Sequence, residues 1–110
     1  MVELRGYIDE KENKPFAQWF EGLDPVAGAR VTLALARMEL GNFSNVKGVG
    51  SGVFECKIHF GPGYRIYFGK DGDHLVILIG GGTKKRQQQD IVTAQECWAA
   101  YKRRKKQEIQ

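Results

Sequence analysis

A chain of 110 residues, 42% of them hydrophobic, can bury the core of one domain without disulfides or metals, and this composition excludes global disorder. The net charge of +4 is unevenly spread. Residues 1–55 carry six Lys or Arg against eight Asp or Glu, a net −2, and residues 56–110 carry eleven against five, a net +6. The basic half predicts a surface that attracts a polyanion such as nucleic acid, with an ordinary solvated surface as the alternative.

The N-terminus and the cysteines indicate a cytoplasmic protein. The opening residues MVELRGYID lack the basic and apolar regions of a secretion signal, and no apolar run reaches the roughly 18–20 residues that cross a bilayer. Cys56 and Cys97 have neither CxxC nor metal-ligand spacing, so both are expected to be buried thiols in a reducing compartment. We therefore expect a single cytoplasmic domain over residues 1–110 that does not bind a membrane.

The N-terminal half predicts one strand followed by two helices. Apolar residues alternate over about residues 2–8, which is the period of a strand. Pro15 is expected to begin a first helix that ends near Gly22, and Asp24-Pro25 to begin a second helix that runs to about Leu40. The buried stripe of the second helix is predicted to consist of Val26, Ala29, Leu33, Ala36 and Leu40.

The C-terminal half predicts three strands and one helix. Residues 41–52, rich in Gly, Asn and Ser, are expected to form a loop. Strands are predicted at 53–60, 64–69 and 74–79, and Gly80-Gly81-Gly82 is expected to stop the last of them. No Walker or GxGxxG framework surrounds these glycines, so we expect no cofactor. A final helix is predicted over about residues 88–105, and a basic tail from about residue 102 overlaps its C-terminal end.

These elements predict an α+β fold with the order β-α-α-β-β-β-α. The sheet would have four mainly antiparallel strands, with the helices packed on one face. Because side chains alternate along a strand, the other face would carry the polar positions of the two central strands. These positions are Glu55, Lys57, His59, Arg65 and Tyr67, followed after the last strand by the basic cluster Lys84-Lys85-Arg86.

Such a face has the residue types that RNA cleavage by a ribose 2′-hydroxyl requires. Arginines can hold the phosphate, lysines can stabilise its charge or move protons, and Glu55 and His59 are conventional acid–base candidates. No carboxylate cluster accompanies Glu55, so a metal site is not expected. The simpler alternatives are cross-strand ion pairs and a nucleic-acid-binding surface without catalysis. The catalytic candidates are Arg65, Lys84, Lys57 and Glu55, and the RNA-binding candidates are Tyr67, Lys85, Arg86 and His59.

Three segments resemble the RelE/ParE toxin superfamily, and more narrowly its HigB-like, phage-derived addiction module killer branch. They are PFxxWF, LARMELGNFSNVKGVGSGVFECKIHFGPGYRIYF and LIGGGTKKRQQQDIVTAQECWAAYK, and the resemblance runs from about Tyr7 to Lys102. It implies a RelE-like fold and a type II toxin that blocks translation, usually as a ribosome-dependent mRNA endonuclease. It also implies a cognate antitoxin, commonly a helix-turn-helix protein. The residues carried over are Arg65, Lys84 and Glu55, with Tyr67 as a weaker candidate.

The chain departs from that family's pattern at two places. Lys57 stands where relatives usually have arginine, which keeps a phosphate contact with less bidentate geometry. Gln89-Asp90-Ile91 stands where some nuclease relatives carry a histidine or tyrosine acid, so the general acid is open between Asp90, His59 and a lysine.

Two other functions remain open from the sequence. A ParE-like inhibitor of DNA gyrase would cut no RNA, and its Glu55, Lys57 and Arg65 would be structural. A degenerate toxin or other non-catalytic RNA-binding domain is the second alternative. The exposed edge of the first strand also leaves open a homodimer.

Overall fold

The computed structural model describes residues 1–109 as an α+β fold with three helices and one mixed sheet. The first half of the described chain contains two helices between short strands, and the second half contains the longer strands, a 3₁₀ turn and the longest helix. The elements are β1 (Glu3–Gly6), α1 (Pro15–Glu21), α2 (Pro25–Glu39), β2 (Val46–Gly48), β3 (Val53–Ile58), β4 (Tyr64–Lys70), β5 (Leu75–Gly82), the 3₁₀ turn (Lys84–Arg86) and α3 (Gln87–Ile109).

The sheet has five strands in the order β1-β5-β4-β3-β2. β1 pairs with β5 in parallel, and the other three pairings are antiparallel. The prediction of four strands was therefore wrong by one, because Val46–Gly48 lies within the expected loop and pairs with β3. A three-residue strand at a sheet edge gives almost no periodicity in the sequence.

Local signals position α1 and α2 as predicted. Pro15 occupies the first turn of α1, where a missing N–H costs nothing, and Gly22 caps its C-terminus. Asp24 caps α2 by accepting a hydrogen bond at 3.0 Å from the backbone N–H of Ala27. Both helix starts and both helix ends agree with the sequence prediction to within a residue or two.

Helices cover both faces of the sheet, which corrects the expectation that they share one face. α1 and α2 pack on the face that carries Cys56, Ile66 and Phe68. α3 packs on the opposite face through Ala94 and Trp98. The second cluster consists of Tyr7, Val53, Tyr67, Ile77, Ile79, Ala94 and Trp98. The face that was predicted to be open to solvent is therefore partly buried under α3.

The predicted buried stripe of α2 was also wrong. Its buried residues are Ala27, Val31, Ala34 and Met38, so the helix is rotated relative to the prediction. Three members of the predicted stripe are instead largely exposed: Val26 (58%), Leu33 (48%) and Leu40 (76%). α2 thus carries two apolar stripes, and only one of them meets the sheet.

The glycine run and the basic C-terminal segment also differ from the predictions. Gly80, Gly81 and Gly82 do not stop β5 but form its last three residues. The basic segment does not leave α3 as a tail, because the helix extends to Ile109. Arg104 donates a hydrogen bond to the carbonyl of Ile8 at 2.7 Å. None of the helices in the described part of the chain has the length and apolar character that crossing a bilayer needs.

Candidate functional site

A cationic groove of about 420 Å³ lies at one end of the β3–β4 pair. Lys57 on β3 and Arg65 on β4 are register partners, so sheet pairing brings them side by side. Lys84 follows β5, and its backbone N–H donates to the carbonyl of Pro62 at 3.4 Å. The groove is lined by Lys57, His59, Phe60, Gly61, Pro62, Gly63, Arg65 and Lys84. Among the described residues that line it, none is acidic.

Arg65 is held at the base of this groove by two directed contacts. Its side chain is buried, and its Nε donates to Oε1 of Glu55 at 3.0 Å. Its Nη1 donates to the carbonyl of Gly63 at 2.5 Å. Gly63 has a φ of +77°, a backbone conformation that favours glycine. A Cβ at this position would also lie only 3.1 Å from Nη1 of Arg65, so a side chain would crowd the guanidinium. The guanidinium is therefore fixed before any ligand arrives.

Glu55 is a positioning residue and does not face the groove. It is 1% exposed, and both of its carboxylate oxygens are occupied. Gln87 Nε2 donates to Oε1 at 3.1 Å and to Oε2 at 3.0 Å, while Arg65 uses Oε1 as well. This corrects the expectation that Glu55 lies on an open face, where it could take a proton from a substrate. The burial of this carboxylate is compensated by the guanidinium and the amide.

Gln87 is the site residue that the sequence reasoning missed. As the first residue of α3, it ties that helix to the Glu55–Arg65 pair. The contact joins residues 32 positions apart, and a polar residue after a basic cluster has no distinguishing pattern in the sequence. Only the placement of α3 over the sheet brings the amide to the carboxylate.

Tyr67 lies outside the groove, contrary to the prediction that its ring faces solvent. It is 1% exposed and packs in the cluster under α3 with Ile79 and Trp98. Burial raises the pKa of Tyr67, and the nearby Glu55 carboxylate raises it further. The hydroxyl has no hydrogen-bond partner among the described residues. A ring in this position cannot stack on a nucleobase.

Asp90 also lies away from the groove. It lines a separate cavity of about 120 Å³ together with Trp19, Tyr67 and Cys97. Burial raises the pKa of the Asp90 carboxyl, and the positive charge of Arg86 partly opposes this shift. Its Oδ2 is buried without a hydrogen bond among the described residues. Of the three kinds of candidate for the general acid, His59 and the two lysines line the groove and Asp90 does not.

The remaining predicted residues surround the groove at the surface. Lys57, His59 and Lys84 are exposed, so their charged ends are accessible to a ligand. Lys85 and Arg86 are exposed on the 3₁₀ turn but do not line the groove. In the part of the chain that the structure describes, His, Cys, Asp and Glu side chains form no group of three that could hold a metal.

The chemistry of the groove is that of an anion site. A fixed arginine offers planar donors that match the oxygens of a phosphate, and two lysines add mobile positive charge. His59 adds the one imidazole among the residues that line the groove. The structure thus defines an α+β protein with a preorganised cationic groove at the end of its sheet.

No protein-family model matches this chain. The chain is similar to an uncharacterized protein from Haemophilus influenzae, with 37% identity over 73 residues. The matched region covers 66% of this chain and 74% of the Haemophilus protein. The chain therefore belongs to the same family as that protein.

Proposed function

We propose that this protein is the toxin of a type II toxin–antitoxin system with a RelE-like fold. It acts as an endoribonuclease that cleaves mRNA on the ribosome and so blocks translation. The observation that carries the proposal is the buried Arg65, fixed by Glu55 and Gly63 in a groove whose other ionisable side chains are Lys57, His59 and Lys84. The resemblance of the GPGYRIYF and GGGTKKR segments to the RelE/ParE superfamily supports it further.

Each ionisable side chain of the groove has a role in the proposed reaction. A ribose 2′-oxygen attacks the adjacent phosphorus, the bond from phosphorus to the 5′-oxygen breaks, and a 2′,3′-cyclic phosphate remains. Arg65 binds the non-bridging oxygens as their charge grows, and Lys84 and Lys57 add to that stabilisation. A base in the groove takes the proton from the 2′-hydroxyl, and an acid gives one to the leaving 5′-oxygen. His59 and the lysines are the groups in the groove that can carry those protons.

The proposal includes a cytoplasmic location and a cognate antitoxin, commonly of the helix-turn-helix type, that neutralises the toxin. It includes no cofactor. The cytoplasmic location follows from the substrate, because mRNA is translated there.

Primer extension on a reporter mRNA after induced expression tests the proposal. The wild-type chain should produce cuts in phase with the codons. Lys84→Ala should abolish them, because Lys84 is exposed and its loss removes a groove charge without disturbing the core. Arg65→Lys should weaken cleavage strongly, because a lysine keeps the charge but not the planar, bidentate geometry. Arg103→Ala removes an exposed cation of α3 and is the matched control, which should cut like wild type.

Two outcomes would contradict the proposal. Intact mRNA accompanied by DNA-damage signalling would indicate a gyrase inhibitor in place of a nuclease. Cuts that persist unchanged in both Lys84→Ala and Arg65→Lys would show that the groove is not the catalytic site. Circular dichroism of each purified variant separates loss of activity from loss of fold.

A further inference from the structure

The outer face of α2 carries an apolar stripe whose larger side chains are about half exposed or more in the described chain. Val26, Leu33 and Leu40 are 58%, 48% and 76% exposed. With Ala29 and Ala36, which are also exposed, they follow one another at intervals of three, four, three and four residues. This is the spacing of the a and d positions of a heptad repeat, which line one side of a helix. Contiguous exposed apolar surface of this kind marks a protein contact site.

The stripe has a basic border. When Val26 is assigned to position a, Arg30 and Arg37 both occupy position e, beside the seam. Both arginines are exposed, and the guanidinium of Arg30 lies 4.6 Å from the centre of the Phe60 ring. That cation–π contact holds the Arg30 guanidinium against the ring.

A second basic feature adjoins the same border. A groove of about 450 Å³ lies between α2, the segment that precedes β2, and the end of β3. Leu33 contributes apolar surface to it, and its basic side chains are Arg30, Arg37, Lys57 and His59. Among the described residues that line this groove, none is acidic. The apolar stripe of α2, with basic residues along one side, is complementary to a partner helix that has its own apolar face and acidic flanking residues.

The same charges argue against a second copy of this chain as the occupant. Two α2 helices packed antiparallel would place the e-position arginines of one helix against those of the other. Packed in parallel, each e position would face a g position, and the g positions of α2 are Thr32 and Glu39. Glu39 lies in the last turn, so its parallel partner would fall beyond the end of the helix. Self-association through α2 would therefore place like charges together in the antiparallel arrangement and would form no ion pair in the parallel one.

We propose that the outer face of α2 is a docking site for an acidic amphipathic helix of another polypeptide. The apolar residues of that helix pack on Val26, Leu33 and Leu40, and its carboxylates pair with Arg30 and Arg37. The inference concerns a surface other than the cationic groove, so it stands whether or not the chain cleaves RNA.

The experiment uses two synthetic helices of three heptads, identical except for their charges. Both have Leu at a and d, one has Glu at e and g, and the other has Lys there. Fluorescence anisotropy with the full chain should show binding of the acidic peptide and none of the basic peptide. Leu33→Asp should abolish the binding, and Val92→Asp, at an equally exposed apolar position of α3 (51%), should leave it unchanged.

Charge reversal at the border provides a second, independent variant. Arg30→Glu combined with Arg37→Glu should weaken the acidic peptide about ten-fold or more and make the basic peptide the tighter ligand. The inference is overturned if both peptides bind equally, if neither binds, or if the double variant keeps the preference of the wild type. It is also overturned if sedimentation shows a dimer that Leu33→Asp converts to a monomer, because the face would then be covered by a second copy.

Discussion

Glu55 determines how the cationic groove is built, although it does not face a ligand. Its carboxylate accepts hydrogen bonds from Arg65 on the neighbouring strand and from Gln87 at the start of α3. A charge buried to this extent is strongly destabilising unless it is paired with an opposite charge, and here each side chain provides the counter-charge of the other. The pair therefore places the guanidinium at the base of the groove and also connects α3 to the sheet.

Glu55→Gln is expected to lower the free energy of unfolding by about 3–5 kcal/mol, because it leaves the Arg65 guanidinium buried without a counter-charge. Urea denaturation followed by tryptophan fluorescence measures the change. Glu3→Gln is the matched control, since its ion pair with Arg5 has side chains that are 61% and 59% exposed, and it should unfold like wild type. An equal, small effect of both substitutions would show that the buried pair is not a stabilising unit.

The sequence alone could identify these residues but not their surroundings. Alternation along β3 and β4 predicts correctly that Glu55, Lys57 and Arg65 share a face of the sheet. It cannot show that α3 covers part of that face, because a polar residue at an alternate position has the same pattern whether it meets solvent or a buried partner. The sequence does carry one indication of that cover, because the same face also contains the hydrophobic residues Val53, Tyr67 and Ile77.

At the scale of the elements, tryptophans pack directly over glycines of the sheet. Gly69 on β4 lies under Trp98 of α3, and Gly81 on β5 lies under Trp19 of α1. The ring of each indole occupies the space that a side chain would take, so the helices approach the two faces closely. This close packing accounts for Gly81 inside β5, although the glycine run predicted that the strand would stop.

Gly81→Ala should therefore destabilise the protein by about 1–3 kcal/mol, the usual cost of forcing extra volume into a packed core. An added Cβ would come within 2.3 Å of the Trp19 ring. Gly80→Ala in the same strand is the control, because nothing lies within 4 Å of its Cβ position. Thermal unfolding should separate the two variants, and identical melting temperatures would contradict the proposed packing.

The helices show where sequence reasoning succeeds and where it stops. The starts of α1 and α2 depend on Pro15, Asp24 and Pro25, which act within one helical turn. The sequence therefore predicts these helix starts without knowledge of the tertiary structure. Which stripe of α2 is buried depends on the sheet. Two apolar stripes compete on this helix, and the sequence favours neither until the position of the sheet is known. Both stripes have the three- and four-residue spacing of a helix face, and the exposed one is the stripe that was predicted to be buried.

At the scale of the whole molecule, positive charge is concentrated where the sheet ends. The half of the chain after residue 55 has the net charge of +6, and it contributes every side chain of the cationic groove. α3 adds a run of five basic residues, Lys102–Lys106, within the same half. Charge that is clustered in this way attracts a polyanion over distances longer than direct contacts.

The salt dependence of RNA binding tests whether the groove is where that charge acts. Each phosphate contact with a single strand contributes about −0.7 to the slope of log affinity against log salt concentration. Lys57, Arg65 and Lys84 line the groove, and Arg65 is already paired with Glu55, so two or three contacts predict a slope of about −1.4 to −2.1. Fluorescence anisotropy with a short single-stranded RNA measures this slope.

Lys84→Ala should make the slope shallower by about 0.7, and Arg103→Ala should leave it unchanged, because Arg103 does not line the groove. If Arg103→Ala changes the slope and Lys84→Ala does not, RNA binds along α3 and the cationic groove is not its site.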